Sequence, residues 1–505
     1  MAKRKKRKSV PLILLLLVLV ALIGLYYWYS NREKETEDKT DTETIQLAKL
    51  EDTSKLTNLH YRASDADMTL VKEGDVWKLE ADPGRPINQD NVKGLIGVLT
   101  DISATRMVAE KPDNLADFGL AEPSGYLQGT LSDGTTVTLQ IGNMIAAGNG
   151  YYALVNEDSK VYLLSTFYGT GLKYSNADMT AVAEAPTITA ENINRIAIDN
   201  KDSDDFEIVN DMEGGVGNTG SYVYSWFILK PYKLGYTADS TKVGTLLENY
   251  TGFSYAKCIE YEAKDLSLYG LDQPMSTIDL NYTEDRTEKL AQPEKDPQTG
   301  NEITEKTYHD PKEYKLMVGN LDEKGLNYYV MDEGSKAVYT MSAETVNKML
   351  TVDVFDLLNR FINIPNIDNV DRIDINLEST VYQITIDHKT VTNEDGKDVI
   401  QNTCYFNGTQ ANEQGFKDFY QILIGAKFDA EIKTEVNTKV APRLTLSYQL
   451  NDAAKTVVSA SYLPYDDSFY LVDTNGEIRF FADKRRMDDI IKAIQGFDPT
   501  KVPEE

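Results

Sequence analysis

Four sets of residues in this chain have the types and spacing that support chemistry in other proteins. Gly215-Val-Gly217-Asn-Thr-Gly220 has the spacing of a phosphate-cradling loop. Such a loop works between a strand and a helix, where the helix N-terminus faces the pyrophosphate. Here a strand, Ser221 to Leu229, is expected to follow, so the segment reads as a flexible glycine loop. Ser254-Tyr-Ala-Lys257 matches the S-x-x-K of penicillin-recognising enzymes, but the K-T-G element they need is missing from the sequence, and a strand start is expected instead. Asp199, Asp202, Asp204 and Asp205 form an acidic run suited to calcium. The glycine and distal glutamate of a calcium loop are missing, so a solvated hairpin turn is the expectation. The three histidines, His60, His309 and His388, lie far apart, and no G-x-S-x-G motif accompanies them. We therefore assign no catalytic, cofactor-binding or metal residue, expect no cofactor, and expect the chain not to be an enzyme.

Composition narrows the rest. The 505 residues carry a net charge of -28, and the six basic residues Lys3 to Lys8 contribute +6, leaving -34 on the remainder. A body that acidic repels nucleic acid, which is excluded as a partner. Val10 to Tyr29 holds no charge and is long enough, at ~30 Å as a helix, to span a bilayer. The basic residues before it place the N-terminus in the cytoplasm, and Tyr26, Tyr27, Trp28 and Tyr29 suit the outer interface. Bulky aromatics stand where a signal peptidase needs small residues, so an uncleaved anchor is expected. The body is thus expected outside the cytoplasm, tied to the cell membrane by a single pass. Cys258 and Cys404 lie in no Cys-x-x-Cys pair and read as buried thiols, with a disulfide left open.

The sequence beyond the anchor repeats itself. Each copy opens on an alternating strand: Leu56 to Tyr61, Ile193 to Ile198, Val370 to Ile375. A second strand follows, then a helix with an apolar stripe. The stripes are Val92, Leu95, Ile96, Leu99; Val243, Leu246, Leu247, Tyr250; and Phe416, Phe419, Tyr420, Leu423. Asn88 and Asp239 are the expected caps of the first two helices. Copies one and two also share motifs in order. Trp77 parallels Trp226. Phe118-Gly119-Leu120-Ala-Glu-Pro123 parallels Tyr269-Gly270-Leu271-Asp-Gln-Pro274. Ile141-Gly142-Asn143 parallels Val318-Gly319-Asn320. We read these residues as architectural: Trp77 and Trp226 between helix and sheet, Gly119 and Gly270 with positive φ, Pro123 and Pro274 leading into strands, Gly142 and Gly319 ending strands at turns. Copy three lacks both glycine motifs. Thr283 to Lys312 is a polar insertion in copy two, expected as a long hairpin or a loop.

The pattern of a tryptophan strand, a helix, Phe/Tyr-Gly-Leu-x-x-Pro and Ile/Val-Gly-Asn resembles the bacterial domain-of-unknown-function 4340 family, clearly over copies one and two. No activity or binding residue is established for that family, so none is carried over. The resemblance implies one N-terminal membrane helix and an accessory role beside ABC-type transporter subunits. The expected fold is α+β: a transmembrane helix, then tandem units, each a mainly antiparallel sheet with a packed amphipathic helix. The expected segments are a basic tail (1–9), the anchor (10–29), a polar tether (30–52), and units at 53–186, 187–363 with its insertion at 283–312, and 364–505. The expected function is an extracytoplasmic accessory or scaffold protein with an envelope or transporter partner. The 31 tyrosines motivate a cell-wall or polysaccharide-binding alternative, with an envelope hydrolase behind it.

Overall fold

The computed structural model describes residues 44–156, 158–211, 225–295, 301–393 and 396–502. The expected anchor, residues 30–43 of the expected tether and the Gly215–Gly220 loop lie outside them. The rest of the tether is not a linker: Ile45–Lys49 is a strand hydrogen-bonded to the first unit. Among the described residues no helix is long and apolar enough to cross a membrane.

Strand and helix emerge where the apolar period changes from two to three and four. The described residues begin with β1 (Ile45–Lys49), which pairs with β5 (Asp101–Ala104). Sheet one then has the spatial order β4 (Val76–Leu79), β3 (Ala66–Glu73), β2 (Leu56–Ala63), β7 (Gly125–Leu131), β8 (Thr136–Met144), β9 (Gly150–Val155), β10 (Val161–Ser165), β6 (Arg106–Ala109). Sheet two is ordered β14 (Tyr236–Thr237), β13 (Trp226–Lys230), β12 (Phe206–Asn210), β11 (Ile193–Asn200), β16 (Ser276–Lys295), β17 (Glu302–Leu321), β18 (Asn327–Asp332), β19 (Val338–Ser342), β15 (Lys257–Glu260). Sheet three is ordered β23 (Thr409–Gln410), β22 (Asp398–Phe406), β21 (Thr380–Thr392), β20 (Val370–Leu377), β25 (Leu444–Leu450), β26 (Val457–Pro464), β27 (Phe469–Thr474), β28 (Glu477–Asp483), β24 (Ala430–Glu431). Sheets two and three share one topology, and sheet one differs only in lacking the two-residue edge strand. The fold is β-rich α+β, and its strand pairs are antiparallel throughout the described residues.

Each sheet buries one face under a helix. The helices are α1 (Gln89–Thr100), α2 (Thr166–Gly171), α3 (Asn176–Met179), α4 (Ser240–Leu247), α5 (Ala343–Leu350), α6 (Val354–Leu357), α7 (Glu413–Leu423) and α8 (Lys484–Gly496). Asn88, Asp239 and Asn412 cap α1, α4 and α7 by accepting main-chain N–H bonds through their side chains. Phe416, Phe419, Tyr420 and Leu423 are all buried, as are Val92, Leu95 and Leu99.

One expectation needs correction. Gly142-Asn143 and Gly319-Asn320 do not end strands at turns: they sit inside β8 and β17 at bulges between Ile141 and Met144 and between Val318 and Leu321. The reason is steric. A Cβ on Gly142 would run into the Phe118 carbonyl oxygen, and one on Gly319 into that of Tyr269. The two glycine motifs of each copy therefore interlock, bringing Leu120 and Leu271 onto the second face of their sheets beside Val161 and Val338. The three sheets group into two compact units. The first compact unit ends at Met179, and the second, from Thr180, holds sheets two and three around one continuous core.

An aromatic junction produces that fusion. Phe480 of β28 meets Tyr232, Tyr236, Phe428 and Phe355, with the Phe428 ring centroid 4.3 Å away. Beside it the Glu477 carboxylate is 7 % exposed and accepts from the Lys233 and Leu234 main-chain N–H groups, both at 3.1 Å, and from the Tyr236 hydroxyl at 3.3 Å. Burial pushes the Tyr236 phenol above its ordinary value, keeping it a neutral donor. Glu477→Ala leaves those donors without their acceptor and should cost roughly 2–4 kcal/mol. Hydrogen-exchange mass spectrometry should then show lost protection in peptides from the second unit and unchanged protection in the first.

Candidate functional site

The motif residues read as architectural occupy interior and turn positions. Gly119 and Gly270 adopt left-handed conformations, φ 67° and 68°, and close short helical turns at Leu115–Phe118 and Leu266–Tyr269. Pro123 and Pro274 stand two residues ahead of β7 and β16. Trp77 and Trp226 are buried, at 6 % and 8 % exposure.

The suspected chemistry does not assemble. Asp199, Asp202, Asp204 and Asp205 lie in and beside the β11–β12 turn. Asp199 and Asp205 share the Lys230 ammonium at 3.4 and 3.3 Å, and Asp205 also accepts from the Asn200 N–H. Among the described residues no group of three metal-capable side chains converges. His60 pairs with Asp67, His309 with Asp285 and His388 with Asn402, each across its own hairpin. Lys257 opens β15, so Ser254 and Lys257 flank a strand start. The tyrosines fill cores: Tyr61, Tyr250, Tyr448, Tyr462 and Tyr470 are fully buried. Tyr255 and Tyr314 hydrogen-bond each other at 2.7 Å and Tyr255 also donates to Asp332, while burial raises both phenols. Both cysteines are buried, and they are not joined in a disulfide.

A concavity lies in sheet three, where β22 meets the start of α7. It encloses about 720 Å³ between Ile400, Asn402 and Cys404 on the strand and Ala411, Glu413 and Phe416 beyond it. Register explains its place. Core pairs at equivalent positions are Leu70 with Leu79, Ile208 with Ile228 and Ile384 with Phe406. Two residues earlier on the same face stand Trp77, Trp226 and Cys404. The main chain agrees: the Ala238 N–H donates to the Trp226 carbonyl and the Ala411 N–H to the Cys404 carbonyl, at 2.9 and 2.8 Å. In sheet one the Gln89 side chain takes that role, bonding both main-chain groups of Trp77. Sheet three thus puts a thiol where its siblings put an indole. The bulk has moved inward, to Phe406 and Phe419, ring centroids 6.0 Å apart.

The rim is polar and fixed. Asn402 donates to Asp368 at 2.6 Å and accepts from His388, whose other ring nitrogen meets the Val370 carbonyl at 3.0 Å. Glu413 pairs with Lys417 one helical turn on, at 2.7 Å. Each of the two cleft carboxylates is therefore engaged by a neighbouring side chain. Burial, reinforced by Glu413, pushes the Cys404 thiol up to about 12. Repeat alignment missed this site because copy three lacks the motifs that aligned the other two. The signal available was Cys404-Tyr-Phe in place of Trp-Lys-Leu and Trp-Phe-Ile.

The sequence profile of one family matches residues 77–224 and 226–443. The chain belongs to that family, described as a domain of unknown function, DUF4340. No curated protein and no solved structure matches it. Each DUF4340 segment opens at the tryptophan position, inside the third strand of a sheet, and carries into the next sheet. The DUF4340 match is therefore out of phase with the folded sheets.

Two outcomes follow from this geometry. A fragment of residues 44–179 should melt cooperatively by circular dichroism. A fragment of residues 77–224 should not, because without β2 and β3 the β4 strand has no path to β7. At pH 8 the native Cys404 should react with iodoacetamide about a thousandfold more slowly than an ordinary thiol, read by mass spectrometry, because so little thiolate is present. The same shift contributes stability that is fully present below the ordinary thiol value of 9.0 and lost as pH rises toward about 12.

Proposed function

We propose that this DUF4340 chain is a membrane-anchored, extracytoplasmic accessory protein that binds a protein partner rather than turning over a substrate. In this reading Val10 to Tyr29 lies in the bilayer, with Lys3 to Lys8 on the cytoplasmic side. The partner is a component of a membrane transporter or another envelope protein, as the family resemblance implies.

The observation that carries the reading is the ribbon formed by β16 and β17. The insertion expected as a hairpin or loop pairs from Ser276 opposite Val318 out to Lys295 opposite Glu302. Beyond Tyr282 its side chains are mostly exposed, and a two-stranded ribbon without a core is marginal in water. Cross-strand contacts hold it instead: Arg286 bonds Asp310 at 3.2 Å and covers the Tyr308 ring, and Lys312 approaches Glu284 at 3.4 Å. A long, polar arm with solvent-facing main chain suits protein contact. The glycan alternative draws little support, because the exposed large aromatics among the described residues are Phe167 in the first unit and Tyr465 in the second.

Crosslinking in intact cells tests the proposal. Full-length protein should recover membrane-complex subunits by mass spectrometry, and the body without residues 1–29 should not. Deleting residues 284–310 from the ribbon should reduce the recovered partner severalfold while leaving the protein in the membrane fraction. Equal recovery with and without the anchor would remove the membrane-proximal reading. Recovery with purified wall material in place of any protein would favour the glycan alternative.

A further inference from the structure

We propose that the sheet-three cleft receives an extended peptide segment of the partner, which adds as a strand to the outer edge of β22 and seats one aromatic side chain over Cys404. This deepens the partner-binding reading and rests on it.

Three observations converge. First, the chain itself shows what fits at this position. Trp77 and Trp226 fill it in sheets one and two, and in sheet three Cys404 leaves about 720 Å³ open there. An indole-sized ring is the group this arrangement of strand and helix accommodates. Second, the edge beside the cleft is available. Among the described residues β22 pairs with β21 along its length, but with β23 only at Tyr405 and Phe406. The Ala411 bond shows that the Cys404 main chain points outward, and antiparallel alternation directs Asn402 and Ile400 to the same open edge. Sheets one and two have third strands of four and five residues, whereas β22 has nine, and the added length is what backs the cleft. A residue paired opposite Asn402 presents its side chain on the same face as Cys404. Third, charge selects the flanks. With Glu413 paired to Lys417, the rim keeps the one negative charge of Asp368, whose partner Asn402 is neutral, so a basic residue beside the aromatic one is favoured. Strand addition supplies main-chain bonds for affinity and a side-chain pocket for specificity.

The test uses the full-length protein in detergent micelles and a fluorescein-labelled pentapeptide, Lys-Thr-Trp-Thr-Lys, followed by anisotropy. Saturable binding to the parent is expected. Cys404→Trp, which supplies the missing indole from within, should weaken it about tenfold or more. Ile400→Pro removes one outward N–H from an edge strand while sparing the bonds to β21, and it should weaken binding similarly. A peptide with alanine for tryptophan should bind no better than the Cys404→Trp protein binds the parent peptide. Thermal melts establish that both variants are folded, and if Cys404→Trp is not, Ile400→Pro decides alone. Absence of saturable binding to the parent, or binding undiminished in a folded variant, overturns the inference. Either result leaves the partner-binding reading standing, because that is scored separately by crosslinking in cells.

Discussion

An antiparallel sheet with one apolar face must be covered along its whole width, and in this protein the third strand is where cover is hardest to arrange. It lies next to or at the edge, and the chain leaves it to enter the helix that packs over the sheet. A large flat side chain at that point fills the wedge between strand and helix, as Trp77 and Trp226 do. Where Cys404 takes the position, the wedge stays open and the bulk is displaced toward Phe406 and Phe419. The core of sheet three still closes, through Phe416, Phe419 and the stacked Phe497 ring, so the opening is confined to the outer end of the helix.

The second face of each sheet faces a different problem, since its central strands are polar and its far edge is not. Copies one and two meet it with paired glycine motifs. A left-handed glycine turns the short helical segment back, and a bulge glycine lets its carbonyl approach the strand. Leucines Leu120 and Leu271 are thereby delivered to the few apolar residues on that side. Copy three carries neither motif, and its departure there accompanies its departure at the tryptophan position. The two copies that keep the structural pattern carry a buried indole at this position, and the one that drops it has the cleft.

The second unit adds a constraint of its own. Its two sheets share a core because Phe480 gathers aromatic rings from both repeats and Glu477 accepts main-chain bonds from the loop after β13. A buried carboxylate is tolerated only with such partners. The family match, opening in the third strand of a sheet, gives no indication of this joint, and folding units are set here by hydrogen-bonded sheets and shared cores.

Much of this was legible in the sequence, for a local reason. Alternation over Val370 to Ile375, the stripe Phe416, Phe419, Tyr420, Leu423, and the caps Asn88 and Asp239 are decided by residues within a few positions of one another. The repeat itself, and with it the family, followed from motif order. What the sequence could not carry were contacts between residues far apart in the chain. Gly142 looked like a turn residue because its real constraint, the Phe118 carbonyl, comes from a separate segment. Nothing local marks Glu477 as a buried acid, because its donors, at Lys233 and Leu234, lie more than two hundred positions away. Cys404 looked like any buried thiol until strand register showed that it holds the position of Trp77 and Trp226 in their own sheets. The sequence by itself determined the elements, their repetition and the one-sided burial of each sheet, because these depend on period and on neighbours. Only the tertiary structure decided which repeats fuse and which one stays open, because both depend on whether side chains from distant segments fill the same volume.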